Sequence, residues 1–306
     1  MKLGVIISAI FVLLLVAVGV LLFRGKPDRP TGAITDAILA RHSLDPSLLN
    51  VAEPTEDGDA ADGYLAAVDL FNDNQRALVG GTADQTVVRQ IVDHLITAMR
   101  QRRTRHGFLD AQVPMTPAAN PQYDEALTRI AQLVATYARQ TDAARGLDAA
   151  NALLTFGVRL FEHNDRLQPR FDGLSVMEEA VDAMDVLTTA RVDNDGYLGG
   201  STLAPITEIR NAWHTKRGLV HSPSPHAADL LQVAEHDADR SFRIEATLTL
   251  GIARFSSPSR GNVRVINDYL GRALAGDDPL IAVAAQVAQD FTKRQMHTMP
   301  MRQDHD

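Results

Sequence analysis

The sequence has no cysteine. That absence removes disulfides, thiolate zinc sites, iron–sulfur clusters and cysteine nucleophiles. It leaves the compartment open, because a cysteine-free body is stable on either side of a membrane. Aromatic residues are scarce, at 5% with a single tryptophan. Ala and Leu recur instead, which favours closely packed helices over a β-sandwich. Basic residues are the third scarcity. Residues 1–29 hold four basic groups and one acid, so the chain's 30 basic and 38 acidic residues become 26 and 37 beyond them, a net charge of −11. A surface that acidic repels phosphates, and no nucleic-acid partner is expected.

Catalytic signatures are missing too. Phosphate-binding glycine loops, dinucleotide fingerprints and nucleophile elbows do not occur, and Ser201 after Gly199-Gly200 does not complete a Gly-x-Ser-x-Gly pattern. No cofactor is expected. What remains is ordinary globular usage, 45% hydrophobic and 22% charged over 306 residues. That length provides one large or two ordinary domains beyond any anchor.

One long apolar run stands at the start. Leu3 to Phe23 carries no charge and a single polar side chain, Ser8. As a helix it spans about 31 Å, close to the hydrocarbon thickness of a bilayer. Arg24 and Lys26 stop it at the interface. Ala17 and Gly19 have the spacing of a signal-peptide cleavage site, but Val20 to Phe23 continues the apolar run beyond them. A retained single-pass anchor is therefore expected. Arg24, Lys26 and Arg29 favour a cytoplasmic body by the positive-inside count. The Met-Lys start before an apolar run favours export, and the extracytoplasmic side is the reading adopted.

The rest reads as all-α, a helical-hairpin body of roughly ten helices. Short helices are expected over Thr31–His42 and Tyr64–Phe71, with an acidic loop between them over Val51–Gly63. Val88, Ile91, Val92, Leu95, Ile96 and Met99 predict a helix over Asp84–Arg103. Tyr123–Arg139 and Ala143–His163 predict an antiparallel hairpin, and Leu174–Ala190 a further amphipathic helix. A glycine-rich loop over Asp193–Thr202 then precedes helices over Leu203–Lys216, with Gly218 beyond its end, and from the Ser224-Pro225 cap to His236. No strand is expected. The implied organisation is an anchor over 1–26, a helical segment with loops over 27–122, a helical-hairpin body over 123–296 and a disordered tail over 297–306.

Phe242-Arg243-Ile244-Glu245-Ala246 with Leu250-Gly251-Ile252 is similar to the second helix of a HEAT-type repeat. Asp277-Asp278-Pro279-Leu280 leading into Ile281 to Ala285 resembles another unit, about 38 residues on, near the usual helical-repeat period. The resemblance covers residues 239–291, and the second copy departs from the pattern at Ile281 and Gln289. It implies stacked helical hairpins that bind a protein partner, and it carries no functional residues.

Three clusters carry possible chemistry. His214, His221, His226 and His236 fall within 23 residues, and Asp229 shares a helical face with His226. A metal-dependent enzyme built on these five is the alternative function, although no His-x-x-x-His spacing occurs. Arg100, Arg102, Arg103 and Arg105, with His106, form the body's basic cluster. A solvated helix end explains it most simply, and an anionic lipid or partner contact is the alternative. Glu178, Asp182 and Asp185 form an acidic stripe opposite the apolar face of their helix, read as solvated surface. Asp193 to Leu198 resembles the middle of an EF-hand loop, but Arg191 and Thr202 stand where calcium needs carboxylates. The leading expectation is a membrane-tethered helical scaffold for protein–protein interaction.

Overall fold

The computed structural model describes residues 54–81, 85–113, 115, 121–189, 199–222, 226–256 and 259–298. The anchor with Leu3, Phe23, Arg24 and Lys26 lies outside them. So do the helix expected over Thr31–His42, the Asp193–Leu198 loop, the Ser224-Pro225 cap and the tail beyond Thr298. Among the described residues no helix is long and apolar enough to cross a membrane.

The described chain is all-α apart from two short strands. Its ten helices are α1 (Ala60–Val79), α2 (Gln85–Arg100), α3 (Pro121–Gln140), α4 (Ala143–Glu162), α5 (Leu167–Thr189), α6 (Gly199–Val220), α7 (Ala227–His236), α8 (Arg240–Ser256), α9 (Arg260–Leu274) and α10 (Pro279–Thr298). Strands β1 (Glu56–Asp59) and β2 (Gln101–Arg103) pair in parallel, with Glu56 opposite Gln101 and Asp59 opposite Arg103.

The strands correct two expectations. Residues 56–59 are not loop, and the second helix stops at Arg100 instead of Arg103. The cause is tertiary. Buried Arg159 of α4 donates to the carbonyls of Ala98 at 2.8 Å and Gln101 at 2.7 Å. Thr55 N–H takes the Arg100 carbonyl at 2.9 Å. The last carbonyls of α2, orphaned in any helix, thus find donors outside it, and the chain leaves as a strand. Asp59 supports the same corner by accepting from Ala61 N–H at 3.0 Å as the N-cap of α1.

Helices α4 and α5 form the centre. Every residue from Ala149 to Leu160 is buried, and from Leu167 to Leu187 only Asp182 and Val186 are exposed. Helices covered on nearly every side form the inside of a fold. The two cross at glycines: a Cβ on Gly173 would stand 2.6 Å from the Gly157 carbonyl oxygen, and one on Gly157 would stand 2.8 Å from that of Gly173. The α3–α4 hairpin forms as expected, but α4 makes its larger interface with α5. Residues 167–173 add about two turns to the start of α5 before the expected Leu174, with Pro169 in the first turn. Proline is tolerated there because first-turn N–H groups have no partner within the helix.

Two main apolar clusters result. One joins α1 and α2 to α3, α4 and α5, with Tyr64, Phe71, Ile91, Leu95, Ile130 and Phe156 fully buried in it. The other joins α7, α8, α9 and α10 around Phe242, Leu250, Ile266 and Leu270. Helix α8 packs chiefly on α7 and α10, and α9 on α10. Trp213 of α6 touches both clusters, with its ring 4.9 Å from Phe161 and 5.0 Å from Phe242. Gly218 lies inside α6, not beyond it, because Val220 is fully buried in the second cluster and draws the helix onward.

The α4–α5 crossing gives a stability prediction. Gly173→Ala forces two backbones apart and lowers stability by about 1–3 kcal/mol, since overpacking outweighs the helix-propensity gain. Gly271→Ala, where a Cβ meets open space on exposed α9, changes stability in the opposite direction by about 0.5–1 kcal/mol. Urea unfolding of both variants, with opposite shifts in midpoint, checks this.

Candidate functional site

A polar seam runs where the two apolar clusters meet, built on the α4–α5 connection His163-Asn164-Asp165-Arg166. Tight connections orphan backbone groups, and here side chains take them up. Asn164 Oδ1 accepts from Leu109 N–H at 3.0 Å, and its amide donates to the Leu160 carbonyl at 3.0 Å. Asp110 accepts from the N–H groups of Asp165 at 2.8 Å and Arg166 at 2.9 Å. Burial raises the pKa of Asp110, and those two N–H bonds work against the rise.

Arg166 is 3% exposed and Glu245 of α8 is 7% exposed. The guanidinium Nε donates to Glu245 Oε1 at 3.0 Å and Nη1 donates to the Val113 carbonyl at 2.8 Å. Desolvating both charges costs several kcal/mol each, so such a pair persists only with good geometry and further hydrogen bonds. Beside it, Asp165 meets Arg240 at 2.9 Å and His106 at 3.0 Å. Arg240 continues to Asp278 at 2.7 Å, and Asp278 caps α10 through Leu280 and Ile281 N–H. The Arg240 guanidinium holds the Asp278 carboxyl below its ordinary range. Arg170 of α5 reaches Asp239, the residue before α8, at 2.8 Å and lies over the Trp213 ring at 5.0 Å. The seam therefore links α4, α5, α6, α8 and α10.

His163 sits at this corner with its pKa lowered to about 4, by burial first and then by the Arg159 and His106 charges.

A second feature is a groove of about 680 Å³ between the end of α1, α2, α3 and the start of α4. Its apolar lining includes Leu78, Val79, Val88, Leu133 and Tyr137. Val79 is 57% exposed, the most open of the exposed large hydrophobic residues. Arg89 on α2 and Arg129 on α3 also line it, both exposed. Arg145 of α4 is bound to the Asp93 carboxylate across the groove, and Asp142 caps α4 by accepting from Arg145 N–H at 3.0 Å.

The sequence clusters fare differently. His214 is exposed beside Phe171, ring centres 6.0 Å apart. His221 is half-buried with Nε2 3.9 Å from Glu245. His226 is the exposed N-cap position of α7, with Asp229 exposed in the same first turn. His236 is exposed at the other end, 3.7 Å from Glu235. Among the described residues no group of three or more His, Asp or Glu is placed to hold a metal.

The basic cluster is not a plain helix end. Arg102 pairs with Asp57 at 3.2 Å, and Arg105 with Asp62 at 3.3 Å and Asp59 at 3.8 Å. Chain acids thus face two of the four arginines, while Arg100 ends α2 and Arg103 lies in β2. The acidic stripe is only partly open surface: Asp182 is exposed, while Glu178 is largely covered. Glu178 accepts from Thr207 at 2.8 Å and binds Arg210, both on α6, while Asp182 binds Arg139 of α3. Burial, then the neighbouring Asp182 charge, raises the pKa of Asp185.

Two predictions follow from the seam. Glu245→Gln leaves the Arg166 charge buried against a neutral partner and costs about 3–5 kcal/mol, whereas the double variant Glu245→Gln with Arg166→Met recovers most of it. Urea unfolding of the single and double variants measures the difference. His163 has a folded pKa below its unfolded value, so the unfolded state binds the extra proton first. Stability from this group is intact above about pH 6.5, falls as pH drops towards about 4, and changes no further below that. NMR titration of the imidazole locates the midpoint near 4, and His163→Gln flattens the urea midpoint across that window.

No family model, no curated protein and no solved structure matches this chain.

Proposed function

We propose that this chain is a scaffold held at a membrane by Leu3–Phe23, whose helical body binds another protein. The observation that carries it is the groove between α1, α2, α3 and α4, with an apolar floor left open at Val79. Exposed apolar surface framed by polar side chains is what a docking surface offers. The apolar run at the N-terminus, ended by Arg24 and Lys26, supports the tether. The stacking of α7–α8 on α9–α10 supports a repeat-like, HEAT-like end to the body. The body is placed on the extracytoplasmic side, as the Met-Lys start suggests.

The tether is tested by alkaline carbonate extraction. The full chain stays in the membrane pellet, and a chain lacking residues 1–26 moves to the supernatant. C-terminal reporter fusions report the side. The scaffold role is tested by affinity purification from detergent-solubilised membranes, against the same anchor fused to an unrelated soluble protein. One partner enriched over that control supports the reading; equal recovery of every protein by both ends it.

A further inference from the structure

We infer that the groove between α2 and α3 is an acceptor for one amphipathic helix of a partner protein, with carboxylates flanking its apolar stripe. This rests on the scaffold reading above and names the chemistry of its partner.

Charge gives the first argument. Three arginines and two aspartates line the groove. Asp93 is paired with the Arg145 guanidinium, while exposed Asp142 accepts only from the neutral Arg145 N–H and keeps its charge. The local excess is therefore one positive charge, from Arg89 and Arg129, one on each facing helix, against Asp142. The body beyond residue 29 carries a net charge of −11. A positive groove favours an acidic ligand, while the net negative charge of the body opposes the approach of a second copy.

Shape gives the second. Helices form the groove's walls, and an apolar floor runs between them, exposed at Val79 and half-buried at Val88 and Leu133. No sheet edge lines it, so strand addition has nothing to pair with. A volume of about 680 Å³ accepts several apolar side chains. An amphipathic helix supplies them at i, i+3, i+4 and i+7 while its flanks reach Arg89 and Arg129.

The test uses the full chain in its own membranes, with a photoreactive residue at Val79 in the groove or at Val283 on exposed α10. Two synthetic helical peptides share a leucine stripe and differ only in flanking Glu or Lys. The expected result is a partner crosslinked from Val79, competed by the Glu peptide, and lost in the Arg89→Glu, Arg129→Glu double variant. Fluorescence anisotropy on the detergent-solubilised chain favours the Glu peptide by about tenfold, and the double variant reverses that preference. Circular dichroism confirms that the double variant is folded. A partner crosslinked only from Val283 keeps the scaffold reading and overturns the groove assignment. No crosslink from either position overturns both. A self-crosslinked dimer at Val79, no binding of either peptide, or a preference unchanged by charge reversal overturns the acidic-helix assignment.

Discussion

The cation of Arg159 is the constraint around which the first half of the structure is arranged. It sits in the last turn of α4 at 1% exposure, where a bare charge is very costly. Carbonyl oxygens at the end of α2 meet it, where the aligned peptide dipoles concentrate about half a negative charge. The Tyr64 hydroxyl of α1 accepts from Arg159 at 3.1 Å, and burial pushes the phenol's own pKa up to about 12, so it stays neutral. Three elements distant in sequence are thereby fixed to one side chain. The break at Arg100, the turn into β2 and the pairing of β2 with β1 all follow from where those carbonyls must point.

The second half is attached by a different rule. Apolar faces can slide over one another by a turn with modest loss, because burial is not directional. Ion pairs and capped backbone groups cannot. Arg166–Glu245, Arg170–Asp239 and Asp165–Arg240–Asp278 connect α5 and its preceding turn to α8 and α10 at fixed points. Trp213 fills the apolar space between the clusters, and Arg170 lies over its ring. The seam specifies the angle at which α7 to α10 meet the central helices, and the apolar clusters supply the driving force.

Local pattern made some of this legible. The buried face of α2 is the one its spacing predicts, Ile91, Val92, Leu95, Ile96 and Met99, because a helix with one partnered side shows its period. The stripe on α5 is less legible for the opposite reason: Asp182 is exposed as its spacing predicts, but Glu178 is covered. A central helix is covered on both faces, and its polar face is then met by Arg139, Thr207 and Arg210 from neighbours. The two strands left no local trace, since Glu56 finds its partner 45 residues away through contacts that form only in the folded chain. Glu245 and Asp278 were visible within the repeat-like pattern, but nothing local says that they are paired with Arg166 and Arg240. The groove is invisible for the same reason: its lining comes from four helices, each ordinary alone.

Net charge and groove charge point in opposite directions, and range decides between them. At physiological ionic strength the screening length is about 8 Å, so most of the acidic surface is screened from a ligand seated in the groove. Such a ligand feels the groups that line it. Asp93 is paired with Arg145, which turns one potential repellent of an acidic helix into part of the wall and leaves Asp142 as the other. Arg89 and Arg129 then set the local sign. The overall negative charge acts at longer range, on approach, where it slows an acidic partner. The inferred contact is consequently one whose apolar floor must supply most of the affinity, with the arginines choosing among helices that already fit.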